Sequence, residues 1–314
     1  MSTGPGAGHD PPAGAFEPHA HPHAHPVERE LPAYDAHYDI AHTAHHATVV
    51  LDGVDVGYDD TVVLGGVNLA VLPGTLLAVF GPNGGGKSTL LKVIAGLLTP
   101  WRGSATVLGA APGRHSRRVA YVPQAEQVDW EFPVSVGDVV MMGRYPRLGP
   151  FRRPGAVDRA AVRGALEQVG MAAHARTQIG RLSGGQRRRA FLARALAADP
   201  DLYLLDEPVT GVDPTTQEDL MSILEAEARR GKTVIATTHD LACAAQRFQR
   251  VLAINGGVVA HGPAALVLDD AVLAATYGGH LLVLGERRVL IDDPHHHDQP
   301  PPGEAHFHQG GREG

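Results

Sequence analysis

The chain has 314 residues, 43% of them apolar, enough for a sizeable core in one large domain or two small ones. A net charge of −7 with histidine neutral leaves no overall basic field of the kind that dominates nucleic-acid binding, so no nucleic-acid partner is expected; the single cysteine, Cys243, excludes an intrachain disulfide and fits a reducing compartment. No apolar run approaches the roughly 18 residues needed to span a bilayer, and no charged-then-apolar leader pattern opens the chain, so a membrane role is expected to come through a partner.

Residues 1–47 hold nine histidines among Pro, Gly and Ala without apolar periodicity, the composition of a disordered tail. His19, His21, His23 and His25 alternate with Ala and Pro, so an extended chain brings neighbouring imidazoles near enough to share a divalent ion; a merely solubilising tail would have the same composition. From Thr48, short apolar runs at 49–51, 54–56, 62–64 and 67–71, separated by Gly and Asp, predict antiparallel strands. Tyr58, in Gly-Tyr-Asp-Asp between two of them, could stack on a flat heterocycle or simply pack beside a hairpin. The apolar run 75–80 leads into Gly81-Pro82-Asn83-Gly84-Gly85-Gly86-Lys87-Ser88-Thr89 and a helix-like run over 90–98. This is G-x-x-x-x-G-K-[ST] between strand and helix, where glycines let backbone N–H groups converge on an anion and the helix adds its unsatisfied N–H groups. Lys87 is expected to reach the β- and γ-phosphates, and Ser88 to offer its hydroxyl to Mg²⁺.

After a turn at 99–103, strands are predicted at 104–108 and 119–122, with Gln124 just past the second. Residues 128–133 open a helical insert, spanning about 125–185, with helices at 136–142 and 158–170. Arg144, Arg147, Arg152 and Arg153 fall close together, as do Arg187, Arg188 and Arg189, so local positive patches are possible. Leu182-Ser183-Gly184-Gly185-Gln186 opens a further helix through about 198. The run 202–205 ends in Asp206-Glu207-Pro208, the form of a buried parallel strand with acids at its carboxyl end, where open α/β sheets bind ligands. Asp213 lies in a turn before an amphipathic helix over 215–230, and the buried strand 233–237 closes at Thr238-His239-Asp240. Strand-like runs at 251–254, 258–261 and 281–284 complete the fold. Beyond Asp293 the chain turns polar, with His295, His296, His297, His306 and His308, so the two tails hold 14 of the 19 histidines.

One loop can bind a nucleotide, but hydrolysis also needs a divalent ion, a placed water and charge compensation. Asp206 is positioned to hold Mg²⁺ directly or through water, and Glu207 to polarise the attacking water as general base. His239 could hydrogen-bond the γ-phosphate, and Gln124 could contact both metal and water. Each residue alone has a plain structural reading, such as a strand-terminal acid capping the next helix. Their occurrence together in this order points to nucleotide hydrolysis.

Over about residues 49–285 the chain resembles ABC-transporter ATPase subunits. Gly81 to Thr89 resembles the family's Walker A motif, Gln124 its Q-loop, Leu182 to Gln186 its signature motif, Leu202 to Asp206 its Walker B motif, Glu207 its catalytic glutamate, Asp213 its D-loop, His239 its switch histidine and Tyr58 its adenine-stacking aromatic. The resemblance implies a P-loop NTPase (RecA-like) α/β core, with an antiparallel β subdomain and an inserted α-helical subdomain, over about 48–290. It implies ATP and Mg²⁺ as ligands, with Mg²⁺ on Ser88, Gln124 and Asp206. It further implies a homodimer in which Ser183, Gly184, Gly185, Gln186 and Asp213 complete the partner's site in trans, working at the cytoplasmic face of the membrane.

Residues 128–133, 138–145 and 151–154 are similar to the ATPases of bacterial zinc and manganese importers. That similarity implies separate permease subunits, reached near Trp130, Phe132 and Met142 unless these are ordinary core, and a substrate-binding protein acting on the permease. His-rich tails fit a transition-metal system and could themselves hold Zn²⁺, through His19, His21, His23, His25, His295, His296 and His297. An iron-siderophore or haem importer shares the same motif order. A DNA-repair ABC ATPase would need a long coiled-coil insertion and a ribosomal one two tandem cassettes, and neither is present; a metal-storage protein would not need a hydrolytic site.

Overall fold

The structure, a computed structural model, describes residues 46–124, 132–149 and 152–278 and the strands Leu281–Leu284 and Arg287–Leu290. The candidate metal ligands of the histidine-rich tails, and Trp130, lie outside the described residues. The chain divides after Pro32, and every described residue belongs to the unit that begins at Ala33.

Strands β1 (Val49–Tyr58) and β2 (Thr61–Val71) pair antiparallel, from Val49 opposite Val71 to Tyr58 opposite Thr61. The four short runs expected here are therefore two strands. Register shifts between Leu51 and Gly57 break the alternation that a strand of period two would show, as β-bulges do. β3 (Leu76–Phe80) leads into helix α1 (Lys87–Ala95), and β4 (Arg102–Val107) pairs with the other edge of β1, giving a three-stranded sheet of order β2-β1-β4.

The second sheet adds β5 (Val119–Val122), β6 (Leu202–Leu205), β7 (Thr233–Thr237), β8 (Arg250–Ile254) and β9 (Val258–Pro263) to β3, in the order β5-β6-β7-β3-β8-β9. All neighbours are parallel except β8 and β9. Every residue of β3, β6 and β7 is buried, as expected of parallel strands covered on both faces. Leu77 and Val79 of β3 join a core with α1 and the antiparallel sheet, while Leu76, Ala78 and Phe80 join the core on the opposite face. The period-two alternation of β3 thus holds two layers on one strand.

Between β5 and the later strands lie helices α2 (Val136–Met142), α3 (Tyr145–Leu148), α4 (Ala156–Gln168) and α5 (Gly184–Ala198). Reciprocal capping boxes start α2 at Ser135 with Asp138, and α5 at Ser183 with Gln186. Part of the supposed basic patch is structural: Arg144 pairs with Asp158 at 3.0 Å and donates to Ala197 O, and Arg147 donates to Ala198 O. These guanidinium groups satisfy the last carbonyls of α5. Phe132 and Met142 are exposed rather than core, and so are Arg152 and Arg153.

Helix α6 (Pro214–Arg229) follows β6, and α7 (Leu241–Arg247), α8 (Ala264–Val267) and α9 (Asp270–Tyr277) pack around the last strands. The sequence did not reveal α7 and α9, because seven or eight residues carry too little periodicity. Their starts are set by the Asp240 and Asp269 carboxylates, which accept from Cys243 N and Val272 N. Strand β10 (Leu281–Leu284) pairs antiparallel with β11 (Arg287–Leu290), a partner the sequence did not suggest.

Tyr203 ties the sheet to α6: its buried hydroxyl donates to Glu227 Oε2 at 3.1 Å, and Glu227 is also paired with Arg230 at 2.6 Å. Tyr203→Phe keeps the packing but leaves that carboxylate one donor short. A loss of about 1.5–3 kcal/mol of unfolding free energy is expected in urea denaturation, and an unchanged midpoint would contradict this role.

Candidate functional site

The phosphate-type loop leaves the buried end of β3 and runs into the first turn of α1. Two of its glycines are demanded by space. A Cβ on Gly81 would lie 1.9 Å from Ile254 O, and one on Gly86, at φ 99°, would lie 2.2 Å from the Leu64 side chain. Lys87 is buried, and its ammonium donates to Gly81 O and Pro82 O, both at 2.9 Å, so the side chain folds back over the loop. α1 has neither a side-chain N-cap nor an acidic residue in its first turn. Its positive end therefore faces the loop without a compensating acid, which favours an anion there.

Across the cleft, the register of the parallel strands sets Leu205 opposite Ala236, so that Asp206 and Thr237 follow side by side. Thr237 Oγ1 donates to Asp206 Oδ1 at 2.7 Å and accepts from Glu207 N at 2.8 Å. Asp206 is buried, and its Oδ2 has no hydrogen-bond partner. A buried carboxylate oxygen with spare acceptor capacity suits a hard cation such as Mg²⁺, which is typically held by one or two carboxylates together with substrate phosphates. Among the described residues, no three or more His, Cys, Asp or Glu side chains gather as a transition-metal site would require.

Glu207 is held at both oxygens. Oε1 lies 2.6 Å from His239 Nε2, and Oε2 accepts from Gln124 Nε2 at 3.4 Å. The hydrogen bond from His239 holds the carboxyl below its ordinary range, with the charges of His239 and Lys87 and a bond from Thr210 adding to it and burial opposing it. The carboxylate is thus ionised at neutral pH, as a base must be. Glu207 also adopts φ 52°, rare outside glycine, on the turn that aims it into the cleft.

An open cleft of about 340 Å³ brings together Tyr58, Asn83, Gly84, Gly86, Lys87, Ser88, Thr89, Gln124 and Glu207. Tyr58 is 41% exposed at its rim; its hydroxyl accepts from Lys92 Nζ at 3.3 Å, and the same ammonium lies over its ring, 5.6 Å from the centroid. Ser183, Gly184, Gly185 and Gln186 do not line this cleft. They form the exposed or half-exposed N-terminal turn of α5, where Ser183 Oγ accepts from Gln186 N. Asp213 caps α6 by accepting from Thr216 N and Thr216 Oγ1, which keeps its carboxyl below the usual range. Sequence reasoning missed Thr237, although a hydroxyl at the end of the strand beside an acidic strand end is its legible signal. It also missed Lys92, five residues past Lys87 in α1.

A six-stranded, mainly parallel sheet with a phosphate-type loop after β3 and a buried Asp-Glu pair after β6 defines a P-loop nucleotide hydrolase. Residues 64–210 match the family described as "ABC transporter". The zinc transport system ATP-binding protein TroB of Treponema pallidum is 44% identical over 243 residues, covering 77% of this chain and 91% of that protein. The manganese transport system ATP-binding protein MntB of Bacillus subtilis is 43% identical over 239 residues, covering 76% and 96%. Among solved structures, an inward-facing transporter assigned to the metal-chelate ABC type aligns at TM-score 0.66 and 28% identity, over 74% of this chain and 89% of that one. The chain belongs to the ATP-binding subunits of ABC transporters, and it is an ATPase of that family.

A carboxyl whose pKa is lowered by folding stabilises the protein above its unfolded value, about 4.3, and loses that contribution as pH falls through the folded value. His239→Ala removes the main cause for Glu207. In metal-free and nucleotide-free buffer, the stability gap between the parent and this variant should be full above about pH 4.5 and close as pH falls below it. A gap constant down to about pH 3 would contradict the pairing.

Proposed function

We propose that this chain is the ATP-hydrolysing subunit of an importer for a divalent transition-metal cation, zinc or manganese. The carrying observation is the Glu207 carboxylate, held between His239 and Gln124 in the same cleft as Lys87 and Ser88. The metal assignment is supported by relatives whose names specify zinc and manganese transport, at 44% and 43% identity.

On this reading, ATP lies with its phosphates on the Gly81 to Thr89 loop, its base against Tyr58, and its γ-phosphate toward Glu207. Lys87 exchanges the Gly81 and Pro82 carbonyls for phosphate oxygens, an exchange its present hydrogen bonds make short. Bound Mg²⁺, held by Ser88, Asp206 and Gln124, would neutralise the charge developing on the transferring group. Glu207 accepts a proton from the attacking water, and His239, released from Glu207 Oε1, hydrogen-bonds the γ-phosphate. Two copies pair so that Ser183 to Gln186 and Asp213 of each reach the nucleotide of the other. Gln124 connects the site to the helical segment, whose exposed Phe132 and Met142 meet a separate permease at the cytoplasmic face of the membrane. A substrate-binding protein delivers the metal to the permease. The working body spans about 48–290, with the helical subdomain at about 125–185, and is flanked by histidine-rich tails whose imidazoles bind Zn²⁺.

Glu207→Gln should lower hydrolysis at saturating ATP by two orders of magnitude or more while ATP binding persists and closed dimers accumulate in gel filtration, a loss on the order of 3 kcal/mol in the barrier. Unchanged turnover would remove Glu207 as the base. Lys87→Ala should weaken ATP binding itself. For the tails, calorimetry should find Zn²⁺ binding that weakens as pH drops through about 6.5, where free imidazole protonates. Replacing His19, His21, His23, His25, His295, His296 and His297 with Ala should remove those sites, and unchanged stoichiometry would place the metal elsewhere.

A further inference from the structure

The phosphate loop rests on a turn that none of the motifs includes. Asn255, Gly256 and Gly257 connect β8 to β9, and this turn touches three separate parts of the chain. Gly256 N donates to Gly85 O at 3.1 Å, inside the phosphate loop. Gly65 N, on β2, donates to Gly256 O at 2.9 Å. The Asn255 side chain reaches the other way, its Nδ2 donating to Thr276 O at 3.0 Å near the end of α9.

The contact with the loop is close as well as hydrogen-bonded. Ile254 O, the residue before the turn, lies where a Cβ on Gly81 would stand, and 3.2 Å from where one on Gly85 would. A shift of the turn by a few tenths of an ångström is therefore transmitted directly to the loop backbone. The far anchor is firm: Thr276 is fully buried, with its hydroxyl donating to Val272 O at 2.7 Å. Beside it, the Tyr277 ring stacks on Phe80, the residue that precedes the loop, at 6.4 Å and 23°.

We propose that Asn255 is a positioning residue of the nucleotide site: its amide fastens the β8–β9 turn to α9, and the fastened turn sets the backbone on which ATP phosphates lie. The inference rests on the reading that the Gly81 to Thr89 loop binds ATP. Because β2 holds the same turn through Gly65, the anchor also sets the phosphate loop relative to the strand pair that carries Tyr58. Phosphate and base contacts are thereby kept at a fixed separation. Asn255 is exposed, so its replacement opens no cavity. What it removes is the donor to Thr276 O, one hydrogen bond, which converts to about a two- to ten-fold effect on a coupled equilibrium.

The test compares the full chain with Asn255→Ala, Asn255→Asp and Asn255→Gln. Asp keeps the volume but cannot donate when ionised, and Gln keeps a donor on a longer arm. Affinity for a fluorescent ATP analogue, KM and kcat for ATP hydrolysis, and Tm are measured for each. The expected result is a three- to ten-fold weaker nucleotide affinity and higher KM in Ala and Asp, kcat within two-fold of the parent, Tm little changed, and partial recovery in Gln. Unchanged affinity in Ala and Asp would overturn the proposal, as would losses of affinity and kcat that simply follow a loss of Tm. Lys87→Ala separates this failure from failure of the underlying reading: if it abolishes nucleotide binding while the Asn255 variants bind normally, only the positioning role is lost.

Discussion

The hydroxyl of Thr237 is the joint between the two acids of the site. It donates a hydrogen bond to Asp206 Oδ1 and accepts one from Glu207 N, so the acidic end of β6 is bound to the end of β7 by two short hydrogen bonds. The geometry exists because β6 and β7 pair in one register, with Leu205 opposite Ala236, and because β7 continues that register to β3 through Thr237 opposite Val79. A slip of one residue would turn every side chain to the opposite face and carry Asp206 away from the loop that follows β3. Burial on both faces fixes the register, since β3, β6 and β7 expose no residue that could tolerate the wrong side. Packing of the core and alignment of the chemistry are here the same constraint.

From that edge the electrostatics follow. One wall of the cleft is a helix end without a compensating acid, with a buried lysine turned back onto the loop's own carbonyls. On the other side Glu207 lines the cleft, held by a histidine and an amide, and the buried Asp206 next to it in the chain keeps one carboxylate oxygen unpartnered. A polyanion carrying a divalent cation complements both walls at once, the phosphates toward the helix and the cation toward the acids. The resting contacts of Lys87, His239 and Gln124 keep these side chains close to where they would act, so little reorganisation is needed on binding.

The residues that the structure gathers around the cleft come mostly from contiguous stretches of chain. Loop, acids and histidine are each read from contiguous residues, because converging backbone N–H groups and strand-end carboxylates come from local chain. The parts that escaped are those set across the sequence: Thr237 matters through its neighbour strand, Lys92 through Tyr58 and Asn255 through Thr276. Bulges hid the true length of β1 and β2, and the shortness of α7 and α9 left capping aspartates as their only sign. The clustered arginines divide: Arg144 and Arg147 bond helix carbonyls, while Arg152 and Arg153 stay exposed. Charge counted along a chain does not report where the charge is used.

The exposed N-terminal turn of α5 stands apart from the cleft and carries a self-capped Ser183. The proposed mechanism gives that turn work only against a second copy, and so treats one chain as half of a reaction centre. The specific rate of ATP hydrolysis measured against protein concentration, with sedimentation on the same samples, tests this most directly. Activity per chain should rise with the dimer fraction and approach zero on dilution to monomer. A constant rate per chain in samples that sediment as monomer would contradict the account.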